Sequence, residues 1–185
     1  MSYCQAIERM PAERRAWHQA YHDKHYGFPI TNDDELFGRL ILEINQAGLS
    51  WETILKKQVA FKKAYSDFSI KKVAKYGKRD CERLMMDAGI IRNRLKINAA
   101  IENAKTILAL QQEHGSFHQW LKSQHPLSKG GWVKLFKKTF KFTGGEIVGE
   151  FLISLGYLPG AHALSCLVYK KILKKKPLWL SQQSG

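Results

Sequence analysis

Apolar residues recur at three- and four-residue spacing along nearly the whole chain. After Thr31 and Asn32, either of which can cap, Leu36, Phe37, Leu40, Ile41, Ile44 and Ala47 mark a helix ending at Gly48. Asp33, Asp34 and Glu35 fall in its first turn, where the helix dipole favours negative charge. Ser50 can cap a second helix with a stripe of Ile54, Leu55, Phe61 and Tyr65, and Ser69 a short one through Val73. A helix near Arg79 to Asp87 stops at Gly89. The longest, from about Arg92 to His114, carries Leu95, Ile101, Ala104, Ile107 and Leu108 and closes at Gly115. Weaker helical patterns follow near Phe117 to Lys122, Trp132 to Lys138 and Glu146 to Leu155, the last ended by Gly156. No alternating run supports a sheet, so the predicted class is all-α. Ser128-Lys129-Gly130-Gly131 reads as the one flexible loop, and neither a repeat nor a linker divides the chain, which is expected to form a single domain of two helical lobes over residues 1–185.

Composition narrows the function. The 185 residues suffice for a buried core, and no apolar run approaches the roughly 20 residues that cross a bilayer. Three cysteines are too few for a disulfide framework and the N-terminus lacks an apolar signal core, so a reducing cytoplasm is the expected compartment. The net charge is +14, and after residue 118 there are 11 Lys against only Glu146 and Glu150. An excess of that size points to a polyanion, because each neutralised phosphate releases condensed counterion. The alternative is a basic surface with no partner. There is no Gly-rich phosphate loop, nucleophile elbow or Ser/His/Asp arrangement, which argues against those hydrolases and nucleotide-triphosphate enzymes.

Four constellations can carry chemistry. Glu43 lies on the apolar stripe of its helix, with Leu36, Leu40 and Ala47 at minus seven, minus three and plus four. A buried carboxylate is either a ligand or catalytic group, or an edge residue that reaches water or pairs with Arg39 one turn back; periodicity leaves both open. Cys4, His22 and His162-x-x-x-Cys166 supply two thiolates and two imidazoles, the last pair at a spacing that faces one side of a helical turn. Four protein ligands leave no open position, so such a metal would be structural; the competing reading is a buried cysteine with surface histidines. The segment from Asp87 to Ile97 is a helix end, a Gly turn and a basic helix start, where backbone N–H groups with Arg92, Arg94 and Lys96 can hold a phosphate, or simply an ordinary helical hairpin. Tyr21, Tyr26 and Trp51, with Trp17 nearby, can stack on an extruded base or anchor the core.

Taken together, Tyr21-His22-Asp23-Lys24-His25-Tyr26-Gly27-Phe28-Pro29, Leu42-Glu43-Ile44-Asn45-Gln46-Ala47-Gly48-Leu49-Ser50-Trp51 and Asp87-Ala88-Gly89-Ile90-Ile91-Arg92-Asn93-Arg94 resemble the bacterial DNA-3-methyladenine glycosylase I family. The likeness continues through Ile54-Leu55-Lys56-Lys57, Lys137-Lys138 with Phe140-Lys141-Phe142, and the late His162-x-x-x-Cys166, in the family's order. It implies a helical glycosylase of the helix-hairpin-helix superfamily, which flips a damaged nucleotide from duplex DNA and hydrolyses its N-glycosidic bond. On the resemblance, Glu43 is the carboxylate that recognises the alkylated base, Tyr21 a pocket hydrogen-bonding partner, and Trp51 and Tyr26 aromatic walls. Gly89, Ile90 and Ile91, with Arg92 and Arg94, form the DNA-gripping hairpin. Cys4, His22, His162 and Cys166 are the structural zinc set, tying the N-terminus to the C-terminal segment. The implied reaction is monofunctional release of 3-methyladenine by a monomer acting on alkylated double-stranded DNA, with no membrane involvement. The alternative is an altered paralogue on the same fold that binds DNA without base excision.

Some positions depart from the family pattern. Between Cys4 and His22 lie 17 residues, more than is usual, and Gln5 and Ala6 stand where an aromatic residue commonly follows that Cys. His25-Tyr26-Gly27 replaces Glu-Trp-Gly, and Asn45 replaces a common Gln. The expectation is therefore a lost base-stacking wall, with Trp17 or Tyr3 as the candidate substitutes.

Overall fold

The computed structural model describes residues 2–182. Residue 1 and residues 183–185, the ends of the single domain expected from the sequence, lie outside the described residues. Among those described there is no strand, as the periodicity predicts. The helices run in the order α1 (Tyr3–Glu8), α2 (Ala12–Lys24), α3 (Asp33–Gln46), α4 (Trp51–Ala64), α5 (Ile70–Val73), α6 (Lys78–Met86), α7 (Arg94–His114), α8 (Phe117–Ser123), α9 (Lys129–Thr139), α10 (Gly145–Ser154) and α11 (Leu167–Lys174), with 3₁₀ turns at Ser66–Phe68 and Leu178–Gln182. They form two compact units: one takes the chain up to Pro29 and again from Gly149, the other spans Ile30–Val148.

The Ile30–Val148 unit is organised on α3. Every residue from Leu36 to Asn45 is buried, so the helix is enclosed on all sides, where the sequence predicts a one-sided stripe. Leu36, Phe37 and Leu40 have no exposed surface, and each such side chain contributes roughly 1.5–3 kcal/mol on burial. Close packing reaches the backbone at Gly38. Ser66, Asp67 and Phe68 all adopt positive φ (52°, 58° and 60°), a left-handed turn that lays the Phe68 ring on Gly38, where a Cβ would overlap it.

The acidic first turn of α3 does more than complement a dipole. Asn32 is the N-cap, its side chain accepting from the Glu35 N–H at 3.0 Å. Asp33 reaches another helix: it accepts from the Phe117 and His118 N–H groups at 2.7 and 2.9 Å and from Gln111 Nε2 at 2.6 Å, satisfying the start of α8. Asp34 accepts from the Ile70 N–H at 2.9 Å and so serves α5, whose N-cap Ser69 makes no side-chain cap bond. The segment expected to be a flexible loop is instead a helix start. Ser128 accepts from the Gly131 N–H at 3.1 Å as N-cap of α9, and an N-cap bond offsets the low helix propensity of the two glycines.

The other unit joins both ends of the chain through α1, α2, α11 and the last part of α10. The Ser2–Gln5 capping box starts α1. Gly27, at φ +82°, donates its N–H to the Ser154 carbonyl at 2.8 Å; a Cβ there would stand 2.7 Å from the Ala161 Cβ, so only glycine lets these segments meet. The sequence reading assigns no helix to residues 3–24 or 167–174; α1, α2 and α11 are additions of the structure.

Candidate functional site

Four side chains in the unit of the chain ends converge. Cys4 Sγ, His22 Nε2, His162 Nδ1 and Cys166 Sγ all lie within 4.8 Å of one another. The two ring nitrogens are 3.1 Å apart, and the nitrogen–sulfur separations are 3.3, 3.6, 3.6 and 3.7 Å. A tetrahedral zinc with N at about 2.0–2.1 Å and S at about 2.3 Å has edges of about 3.3 Å between nitrogens and about 3.6 Å between N and S. The observed polyhedron fits. The outward ring nitrogens are held as metal-bound imidazoles require: His22 Nδ1 lies 2.7 Å from Asp23 Oδ1, which also accepts from Gln19 Nε2, and His162 Nε2 lies 2.9 Å from the Tyr26 carbonyl. Burial also pushes the His162 pKa down, favouring the neutral ring that can ligate. His162 and Cys166 are not on a helix, contrary to their four-residue spacing. They lie in a turn closed by the Cys166 N–H on the Ala163 carbonyl (2.9 Å), and Cys166 is the N-cap of α11.

An aromatic cluster adjoins these residues in the same unit. Tyr21 and Tyr26 are buried, with ring centroids 5.5 Å apart, and Tyr3 packs edge-on to both, at 6.5 and 5.3 Å. The Tyr3 hydroxyl is 2.8 Å from His18 Nδ1, and burial pushes the phenol's pKa up, so it stays protonated. Tyr26 donates to Glu150 Oε2 at 3.1 Å. Of the two candidate replacements for the ring missing after Cys4, Tyr3 joins the cluster, whereas Trp17 is 48% exposed.

The second constellation lies in the Ile30–Val148 unit. Glu43 is 4% exposed near the end of α3, with Arg39 one turn back on the same buried face. Beyond Gln46 the chain turns through Gly48 and Leu49, and Ser50 caps α4 by accepting from the Thr53 N–H at 3.2 Å, placing Trp51 at the helix start. Leu49 is exposed on this turn. Lys96 of α7 is buried and donates from Nζ to the Asn45 and Ala47 carbonyls at 3.0 and 2.8 Å, closing the end of α3. The α6–α7 hairpin is equally ordered. The Gly89 N–H donates to Asp87 Oδ1 (2.7 Å), Ile90 is buried, and Asn93 caps α7 by accepting from the Leu95 and Lys96 N–H groups. Lys57 of α4 donates to the Ala88 carbonyl at 2.8 Å, fastening the hairpin. Arg92 and Arg94 point to solvent and Ile91 is half-buried.

Residues 12–130 match the methyladenine glycosylase family. The chain belongs to that family. The DNA-3-methyladenine glycosylase 1 of Escherichia coli K12 is 36% identical over 169 residues, covering 81% of this chain and 90% of the relative. Among solved structures, a variant of 3-methyladenine DNA glycosylase I in complex with 3-methyladenine superposes with a TM-score of 0.78 at 31% identity, over 91% of this chain and 97% of that one. The Staphylococcus aureus 3-methyladenine DNA glycosylase I, solved to define 3-methyladenine recognition, gives 0.74 at 33% identity over 82% and 90%. Against this family background, Cys4, His22, His162, Cys166, Tyr21 and Tyr26 fall in one unit, and Glu43, Trp51 and Gly89 to Arg94 in the other. Sequence reasoning named Tyr3 as a substitute ring, read Lys96 as a charge offered to phosphate rather than a buried cap, and gave Leu49 no role of its own. Leu49 carried a signal as a large apolar residue directly after a helix-ending glycine, and Lys96 as a residue on the same side of its helix as Ile97 and Ala100.

Proposed function

We propose that this chain is a DNA repair glycosylase that extrudes 3-methyladenine from alkylated duplex DNA and hydrolyses its N-glycosidic bond. The observation that carries the reading is a nearly fully buried carboxylate, Glu43, at the end of an enclosed helix in a methyladenine glycosylase chain. Methylation at N3 makes adenine cationic and hence already a good leaving group, so the protein mainly has to extrude the nucleotide, select the base and admit water to C1′. Glu43 favours the cationic base electrostatically and accepts from its exocyclic amine; neutral adenine offers no such charge. Trp51 and Tyr26 supply ring surface for the base, and Tyr21 a hydrogen-bonding partner. Gly89, Ile90 and Ile91 present backbone to a phosphate, with Arg92 and Arg94 adding charge. Leu49, apolar and exposed at the turn before Trp51, suits the gap left in the base stack. Lys96 Nζ is taken by two carbonyls, which favours simple hydrolysis without a Schiff base or strand cleavage.

Zinc at Cys4, His22, His162 and Cys166 is a structural ion in this reading, with all four positions filled by protein. The two units are read as one glycosylase domain, because one of them is built from both ends of the chain and the other from the segment between. The protein acts as a monomer on duplex DNA. No described helix is long and apolar enough to cross a membrane.

The test is release of free base from methylated duplex DNA, resolved by chromatography, by the parent and by Glu43→Ala. The parent should release 3-methyladenine, and removal of the carboxylate should slow release by about 10²-fold or more, as for other preorganised electrostatic groups. Equal rates would remove Glu43 from recognition. Duplex binding with no base release by the parent would leave a DNA-binding module.

A further inference from the structure

The basic face of α11 is a concentration of charge that neither the hairpin nor Glu43 uses. From residue 151 to the end the chain contains five lysines, Lys170, Lys171, Lys174, Lys175 and Lys176, and no Asp or Glu. All five are exposed, and no ion pair engages any of them among the described residues. Asp23 lies within electrostatic reach of Lys171.

The helix is laid out to present this charge. Val168 and Ile172 are buried and fix its inner face, so Lys170, Lys171 and Lys174 fall together on the outer one. Lys170 and Lys174 stand at i and i+4, as do Lys171 and Lys175, and like charges at that spacing weaken a helix by about 0.2–0.5 kcal/mol per pair. The C-terminal dipole favours a cation or two in the last turn but does not account for five. A bilayer surface fits poorly, because a helix that lies on lipid needs an apolar face along its length: Val168 and Ile172 are already used in the fold, and the exposed Leu164 and Leu167 stand only at and before its first residue. What remains is a short line of mobile ammonium groups, about 12 Å long, which suits the evenly spaced phosphates of a duplex without reading sequence.

We infer that α11 with Lys175 and Lys176 is a second, sequence-independent phosphate-binding surface, which acts besides the α6–α7 hairpin and holds undamaged duplex during the search for lesions. The inference rests on the glycosylase reading for its purpose, but its test is separate. Affinity for an undamaged duplex is measured between roughly 50 and 200 mM salt, each phosphate contact giving about 0.9 in the slope of log K on log salt. The full chain is compared with a variant carrying Lys170→Gln, Lys171→Gln, Lys174→Gln, Lys175→Gln and Lys176→Gln, and with one carrying Arg at all five positions. The Gln variant should lose about 2 or more from the slope while keeping its thermal midpoint, metal content and single-turnover base release at saturating enzyme, and the Arg variant should keep the parental slope. An unchanged slope in a folded Gln variant overturns the inference. So does an unchanged slope with lost cosedimentation on phosphatidylserine–phosphatidylcholine vesicles, which would assign the surface to lipid. Failure of the parent to release 3-methyladenine would refute the glycosylase reading and leave the slope comparison standing.

Discussion

Replacing Lys96 by Met keeps a stem of similar length and deletes the ammonium that closes α3. The two hydrogen bonds lost, 3.0 and 2.8 Å from Nζ to the Asn45 and Ala47 carbonyls, are of the charged kind that contributes about 1.5–3 kcal/mol each. The group also sits at the negative end of the α3 dipole and 5.8 Å from the centre of the Phe142 ring. Burial opposes these gains: desolvation holds the Lys96 pKa below its ordinary value, and Met removes that penalty. The balance is a net loss of about 2–4 kcal/mol. With a urea slope of about 2 kcal/mol/M, the midpoint should fall by about 1–2 M. The control is Lys105→Met on the same helix, whose partner Glu102 is 2.8 Å away but where both side chains are 53% exposed; such a pair contributes at most about 1 kcal/mol. Urea unfolding followed by far-UV circular dichroism decides. A Lys96→Met midpoint no lower than that of Lys105→Met would refute the reasoning. Base release should fall as well, because the turn leading to Trp51 loses its anchor.

Three further outcomes are expected. Elemental analysis should find about one zinc per chain, and Cys166→Ser should lose zinc and thermal stability together, because binding to a preformed site adds directly to folding stability; full zinc content would remove Cys166 from the ligand set. Tyr3→Phe should keep its ring packing and cost about 1 kcal/mol for the His18 bond, whereas Tyr3→Ala should also raise KM for base release; equal KM values for the two would deny the ring any part in the pocket. Burial, with Lys122 nearby and against the pull of Asp33, holds the His118 pKa below the ordinary value of about 6.5. The folded state therefore binds fewer protons than the unfolded state, so stability present above pH about 6.5 is lost as pH falls towards the folded value. Stability scanned over that interval should be flatter in His118→Gln, and a parallel curve would refute the assignment.

Local chemistry was legible at several caps and glycines that act within their own helix. Asn32, Ser50 and Gly115 end or begin helices where the pattern places them, because their bonds are to neighbours in sequence. Asp33 and Asp34 were legible only in part. Their position in a first turn is a local fact, but the N–H groups they satisfy belong to Phe117, His118 and Ile70, and no periodicity reports a bond across 36 to 85 residues. Ser128 to Gly131 misled in the opposite direction, since two glycines outweigh a serine cap when composition alone is read.

The candidate site divides along the same line. Cys4, His22, His162 and Cys166 were a weak signal on spacing and were named on the family resemblance, while the helical turn expected of the last pair is not what holds it. A spacing of four suits either a helix or a closed turn, and Pro159 to Ser165 form no helix in the structure. Glu43 stood out as a charge on an apolar stripe, but a stripe cannot tell an edge from an interior. What decides is that α3 is covered on every side, including around Gly38 by a ring delivered from a left-handed turn 30 residues on. Lys96 shows the limit most plainly. In the sequence it belongs with Arg92 and Arg94 as one more basic residue after the hairpin, but one helical turn separates a side chain offered to phosphate from one that turns inward to cap α3. The periodicity of α7 already assigns position 96 to the side of Ile97 and Ala100, both buried, so its inward direction was available from helical geometry, while its acceptors at Asn45 and Ala47 were not.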